Sequence, residues 1–316
     1  MSFYASAPAT LMLMGEHAVL HKKLALVAAI DQRISLSLTP RSDNLIVIHS
    51  ALGHLSMAID ELAVTKPFQF VLAAVLSLKA ALPSGCDILI KSEFSDRVGL
   101  GSSAAVTVAT VNALRQWLSL SLEPQDLIIH ARKVVRDVQG IGSGADVAAS
   151  VLGGCIVYGT EPLHFEKLVF NPMLTAVYSG SKLATREVID IVEAKRLLNP
   201  IAFTEYFTEI ERLVLVAKQA INEQNWPIVA DCFKANQKLM QQCGVSNALL
   251  ESLINGLEQQ SGILAAKISG SGLGDCVIGL GHLEQDIFPR NAAEVAIGVK
   301  QIPLQISEQG VQYGLT

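Results

Sequence analysis

Four short segments hold residues whose types and spacing suit chemistry. The first is Gly99-Leu100-Gly101-Ser102-Ser103-Ala104. Its glycines allow a tight turn and a close approach of ligand to backbone. Ser102 and Ser103 fall where a helix should begin, so unpaired N–H groups there suit a phosphate, aided by the helix dipole. A serine hydroxyl at that place can also reach a magnesium ion. A plain glycine turn with serine as N-cap accounts for the same letters, and no Gly-Lys-Ser/Thr follows as a Walker A loop requires. The second segment is Gly142-Ser143-Gly144-Ala145-Asp146. A carboxylate just after a glycine turn can take a proton from an attacking hydroxyl or hold it in line. Ser143 and Asp146 also have the spacing of a capping box, and a helix N-terminus favours ionised Asp, a weak base. The third runs from Lys267 through Gly270, Ser271 and Gly272 to Asp275, a glycine loop between two apolar runs that also reads as a surface loop. The fourth is Gly15-Glu16-His17-Ala18-Val19, where adjacent Glu and His suit a polar binding site, although a lone His is often structural.

The surrounding pattern says which elements must position these groups. Gln32–Thr39 alternates polar and apolar residues as a half-buried strand does, and Leu45–His49 is a second β-like run. Gln69–Leu82 has helical composition and stops at Pro83. Cys86–Lys91 reads as a strand leading into the first glycine segment, with a helix after it that buries Ala105, Val108 and Val111. A helix opening at Pro124 places Leu127, Ala131, Val134 and Val138 on one face and ends at Gly140. A third helix covers Asp146–Val151, and Cys155–Tyr158 reads as a strand. Beyond a boundary near residue 165, Leu168–Tyr178 reads as β, followed by helices over Thr204–Ile221, Pro227–Cys243 and Asn247–Gln260. The runs Ala265–Ser269 and Cys276–Leu280 flank the third segment, and Gly298–Tyr313 reads as β. The whole predicts an α+β protein of two layers.

Composition excludes several classes. The chain has 316 residues, half of them hydrophobic and 17% charged, ample for a buried core and two domains. Mean hydropathy is +0.40. The longest apolar stretches, Phe70–Leu78 and Ala104–Leu114, fall short of the roughly 18 residues a membrane span needs, and Lys79 and Arg115 close them. No basic segment precedes an apolar run at the N-terminus, so no signal peptide and no membrane association are expected. A net charge of −5 without a basic run argues against nucleic acid as a partner. The five cysteines are widely spaced with no C-x-x-C, which points to free thiols and a cytoplasmic location.

Together and in this order the segments resemble the GHMP kinase superfamily over nearly the whole chain. Pro8–Ala25 looks like its first motif, Arg97–Val106 like its phosphate loop and Lys267–Leu280 like its C-terminal glycine motif. The likeness is greatest to the mevalonate kinases, with the phosphomevalonate kinases second. The resemblance implies an α+β GHMP fold: a ribosomal-protein-S5-like N-terminal domain over residues 1–165 and a ferredoxin-like C-terminal domain over 166–316, with the active site between. It implies ATP and Mg²⁺ as cofactors, residues Gly99 to Ala104 around the ATP phosphates, Ser103 as metal ligand, Asp146 facing the acceptor hydroxyl and Thr185 supporting it. Glu16, His17, Gly270, Ser271 and Gly272 would lie toward the acceptor, and a homodimer stays open as an assembly. Gly15–Leu20 looks like mevalonate kinase, whereas Gly142–Gly154 and Gly270–Cys276 look closer to phosphomevalonate kinase. Two positions depart from the family. Thr10 stands where a lysine is usual, with Lys22 or Lys23 as substitutes to test. Val135 stands where mevalonate kinases carry a metal-binding Glu, with Asp137 the nearest carboxylate. Mevalonate, phosphomevalonate and another small alcohol or sugar are the candidate acceptors, and a non-catalytic ligand sensor of the same fold is the alternative class.

Overall fold

A computed structural model of the chain describes residues 1–95 and 98–315. Strand β1 (Phe3–Met14) pairs antiparallel with β2 (Ala25–Pro40). The polar/apolar alternation predicts only Gln32–Thr39. The strand reaches back to Ala25 because Ala25–Ile30 is buried throughout and so carries no alternation to read. Next come the hairpin β3 (Leu45–Ser50) and β4 (Gly53–Ala58), then helix α1 (Gln69–Ser77). Strand β5 (Cys86–Ser92) lies antiparallel to the second half of β2 and parallel to β3. Helices α2 (Ser102–Trp117), α3 (Pro124–Gln139) and α4 (Ala145–Leu152) follow, and Gly140 ends α3 as its sequence predicts. Strand β6 (Cys155–Thr160) pairs with the first half of β2, and β7 (Leu163–Lys167) pairs with β6. The four helices and this sheet share one apolar core, which includes Ala105, Val108, Val111, Leu127, Ala131 and Val134.

A second sheet begins with β8 (Leu174–Tyr178). Helices α5 (Thr185–Leu198), α6 (Pro200–Asn222), α7 (Trp226–Gln242) and α8 (Ala248–Glu258) precede β9 (Ile263–Ser269) and β10 (Cys276–Gly281). Helix α9 (Ala292–Ile297) and β11 (Lys300–Ile302) complete an antiparallel four-stranded sheet of order β11-β8-β10-β9. Strand β12 (Gln312–Leu315) then returns to the first sheet, pairing with β1 to give the order β12-β1-β2-β5-β3-β4.

Further segments differ from expectation. The β run foreseen over Leu168–Tyr178 starts only at Leu174, after Pro172, which has no N–H to give a ladder. The run over Gly298–Tyr313 resolves into two short strands in different sheets, parted by Pro303. Helix α5 was not expected from the sequence: its Val188, Ile189, Ile191 and Val192 are β-branched and mask a helical period. Among the described residues no helix is long and apolar enough to cross a membrane.

Candidate active site

The N-termini of α2, α4 and α5 converge with the end of β1 and the β9–β10 loop on one cleft of about 1080 Å³, its open mouth included. Asp146, Thr185, Glu16 and His17 line it. So do Gly99, Gly101, Ser102, Ser103 and Ala104 of the first glycine segment, and Gly270 and Ser271 of the third. Leu100 and Gly272 do not. Leu100 is buried in the core beneath, and Gly272 packs against Val245, whose carbonyl accepts the Leu273 N–H at 2.7 Å. Arg97, which opens the predicted phosphate-loop motif, lies outside the described residues.

Thr10 on β1 is the pin of the arrangement. It is buried, its N–H donates to the Leu100 carbonyl at 3.1 Å, and its hydroxyl donates to Asp146 Oδ1 at 3.1 Å. Gly101 holds the N-cap of α2 at φ +64°, and a Cβ there would sit 2.1 Å from Thr10 Oγ1. Only glycine tolerates both conditions. The chain therefore enters α2 hard against Thr10, with Ser102 and Ser103 in the first helical turn rather than at the cap. Asp146 is likewise free of capping duty. Gly144 is the N-cap of α4, and it is Ser143 Oγ that accepts a backbone bond, from the Ala145 N–H at 3.2 Å. Burial raises the Asp146 pKa above its ordinary value, opposed by the Thr10 hydroxyl. Desolvation here outweighs the helix N-terminus that on sequence grounds argued for a weak base.

The opposite wall holds the acidic and imidazole groups of the turn after β1. Glu16 Oε1 receives Lys267 Nζ at 2.5 Å with both side chains fully out of solvent, and Lys267 also donates to the Ile268 carbonyl. Burial pushes both groups toward their neutral forms while each holds the other toward charge. Glu16 Oε2 is buried without a hydrogen-bond partner. His17 Nε2 donates to the Ser271 carbonyl at 2.8 Å, an acceptor that fixes the tautomer. Burial lowers its pKa, so the imidazole is neutral at pH 7. Ser269 adds a bond from its hydroxyl to the Met12 carbonyl at 2.8 Å.

Sequence reasoning missed Asp275, which lines the cleft, and Lys267, which does not but holds Glu16. Lys267 and Asp275 bound the third glycine segment, and their letters alone gave neither a role. Asp275 lines the cleft, is 7% exposed, and adopts φ +59°. Its N–H donates to the Ser181 carbonyl at 2.8 Å and its carbonyl accepts the Ser179 N–H at 2.9 Å. Burial is the main cause raising its pKa, with the charge of Lys182 opposing and that of Asp146 adding. Lys22 and Lys23 do not serve the cleft: they reach Glu161 at 2.8 Å and Glu211 at 2.9 Å. Among the described residues that line it, Lys182 is the one lysine or arginine. Val135 faces the cleft, whereas Asp137 is exposed and bound to Lys133 at 2.6 Å.

Residues 69–154 match the family model described as GHMP kinases N terminal domain, and residues 217–294 match GHMP kinases C terminal. The chain is 30% identical to a mevalonate kinase of Thermococcus sibiricus, over 99% of this chain and 98% of the relative. It is 31% identical to a mevalonate kinase of Archaeoglobus fulgidus, over 87% and 91%. In fold it is similar to the Lin0012 protein of Listeria innocua, with a TM-score of 0.83, 23% identity and 99% of each chain covered.

Proposed function

Because the chain belongs to the GHMP kinase family of ATP-dependent kinases, we propose that it transfers the γ-phosphoryl group of ATP to the 5-hydroxyl of mevalonate. The observation that carries this is the placement of Asp146, buried and bound to Thr10, in the same cleft as the first turn of α2. The mevalonate kinases that match over almost the whole chain support the choice of acceptor.

In this reading the N–H groups at the start of α2 bind the ATP phosphates, with Gly99, Gly101, Ser102, Ser103 and Ala104 forming the wall of the loop. The oxygen donors at hand, the Ser103 hydroxyl and nearby carboxylates, fit a hard divalent cation. Among the described residues no three His, Cys, Asp or Glu side chains converge, so phosphate oxygens would complete its shell. Ser103 would hold Mg²⁺, which when bound neutralises charge on the phosphates. Asp146 orients the acceptor hydroxyl and takes its proton as the phosphoryl group leaves ADP, and its raised pKa suits that task. Thr185, at the first residue of α5, supports this side. Glu16 and His17 with Gly270 and Ser271 bind the remainder of the acceptor. Gly272 acts only by shaping the loop.

The test is ADP release by the purified protein with Mg-ATP and (R)-mevalonate, 5-phosphomevalonate, galactose or homoserine offered singly, with Asp146→Ala as control. Turnover with mevalonate that the variant loses is the expected result. Turnover with phosphomevalonate alone would move the reaction one phosphorylation later. Tight ATP binding with no turnover on any acceptor would point to a ligand sensor.

A further inference from the structure

Asp275 is a buried carboxylate to which the proposed phosphoryl transfer assigns no role. Its Oδ1 has no hydrogen-bond partner and no exposed surface, yet the residue lines the cleft. The side chain lies against the phosphate loop: a Cβ built on Gly99 would be 2.9 Å from Asp275 Cβ, Cγ and Oδ1. Cys276, the next residue, donates its Sγ–H to the Val98 carbonyl at 3.0 Å, so the β9–β10 loop and the phosphate loop are joined at this point. The backbone bonds to Ser179 and Ser181 hold Asp275 in a left-handed conformation that is strained for a non-glycine residue.

A lone carboxylate oxygen beside a loop built for phosphates is a repulsive arrangement unless a cation stands between them. Lys182 acts on Asp275 from the mouth, but it is an exposed side chain, and the pair faces a second buried carboxylate, Asp146. Val135, which faces the cleft from α3, has no donor atom. We infer that Asp275 is the carboxylate ligand of the nucleotide-bound divalent cation, reaching it from the β9–β10 loop. The ligand chemistry is that of a hard ion held by one carboxylate, one serine hydroxyl and phosphate oxygens, a set typical of magnesium on a nucleotide. The assignment rests on the kinase reading for the presence of the nucleotide.

The experiment measures binding of a non-hydrolysable ATP analogue by calorimetry, with excess EDTA and with saturating Mg²⁺, and Mn²⁺ affinity of the protein–analogue complex by electron paramagnetic resonance. Asp275→Asn and Asp275→Gly are compared with the unmodified chain, the glycine variant being suited to φ +59° should asparagine impair folding. A metal ligand gives opposite signs in the two conditions. Without metal, loss of the carboxylate removes a repulsion and analogue affinity holds or rises. With Mg²⁺ it falls, and Mn²⁺ affinity drops by about tenfold or more. Equal shifts with and without metal, or unchanged Mn²⁺ affinity, would overturn the assignment and leave Asp275 a partner of Lys182. An unmodified chain that binds no analogue in either condition would instead overturn the kinase reading, and this assignment with it.

Discussion

The two walls of the cleft treat buried carboxylates in opposite ways. On one, Glu16 is matched by Lys267 across 251 residues of sequence, and the pair is sealed from solvent. On the other, Asp146 receives only the Thr10 hydroxyl and Asp275 Oδ1 has no hydrogen-bond partner; Glu16 Oε2 also lacks one, so the contrast lies in the cation held at Glu16 Oε1. A paired charge in a dry site chiefly fixes geometry, while an unmatched one stores a demand that a ligand can meet. The difference separates the wall fixed by its own ion pair from the working wall, where phosphoryl transfer is proposed.

The most disruptive way to break that contrast is to turn the matched wall into an unmatched one. Lys267→Met leaves Glu16 buried without its cation and should cost about 3–5 kcal/mol in urea unfolding. Adding Glu16→Gln should recover much of it, and a double variant no more stable than Lys267→Met would show that the pair is not the cause. The reverse change is Asp146→Asn, which relieves the working wall. Turnover should fall by roughly 10²–10⁴-fold while the melting temperature rises by a few degrees. The sign follows from the raised pKa. The folded chain holds the Asp146 proton more tightly than the unfolded chain does, so the stability contributed by this residue is lost as pH rises above the ordinary value of 3.8. The gain in Asp146→Asn should therefore be present at neutral pH and vanish in acid, and a variant less stable than the parent at pH 7 would contradict it. A subtler change is Thr10→Val, which removes the bond that lowers the Asp146 pKa. The acid limb of the pH–rate profile, where the base is lost by protonation, should move to higher pH. The smallest effect belongs to Asp137→Ala on the outer face of α3. Its bond to Lys133 is an exposed i,i+4 pair worth about 0.3–0.5 kcal/mol, and the Mg²⁺ dependence of nucleotide binding should not change.

The same contrast explains what the letters made legible. The glycine segments and Asp146 are local patterns, because a turn and the helix after it lie within ten residues, and the structure gathers most of them in one cleft. Thr10 was visible as a departure, although its hydroxyl bond to Asp146 was not. Lys267 and Asp275 take their meaning from residues far off in sequence, Glu16 for one and Gly99 for the other. The capping alternatives for Ser103 and Asp146 could be weighed only once Gly101 and Gly144 were seen to hold the cap positions. Helix α5 was hidden by its β-branched residues, and β12 has a place only through its pairing with β1.

Three bonds join β1 and the turn after it to β9 and its loop within a few residues of one another: Ser269 to Met12, Lys267 to Glu16 and His17 to Ser271. They act as a row of stitches along one seam. A hinge that parted β1 and the turn after it from β9 and its loop would have to cut all three at once, and the Lys267–Glu16 bond is withdrawn from water. Substrates must therefore pass through the mouth by yielding of its rim, the turns around Gly99 and Gly142, while the seam stays shut. Amide hydrogens next to the stitches should exchange on the timescale of global unfolding, and those of the rim far sooner.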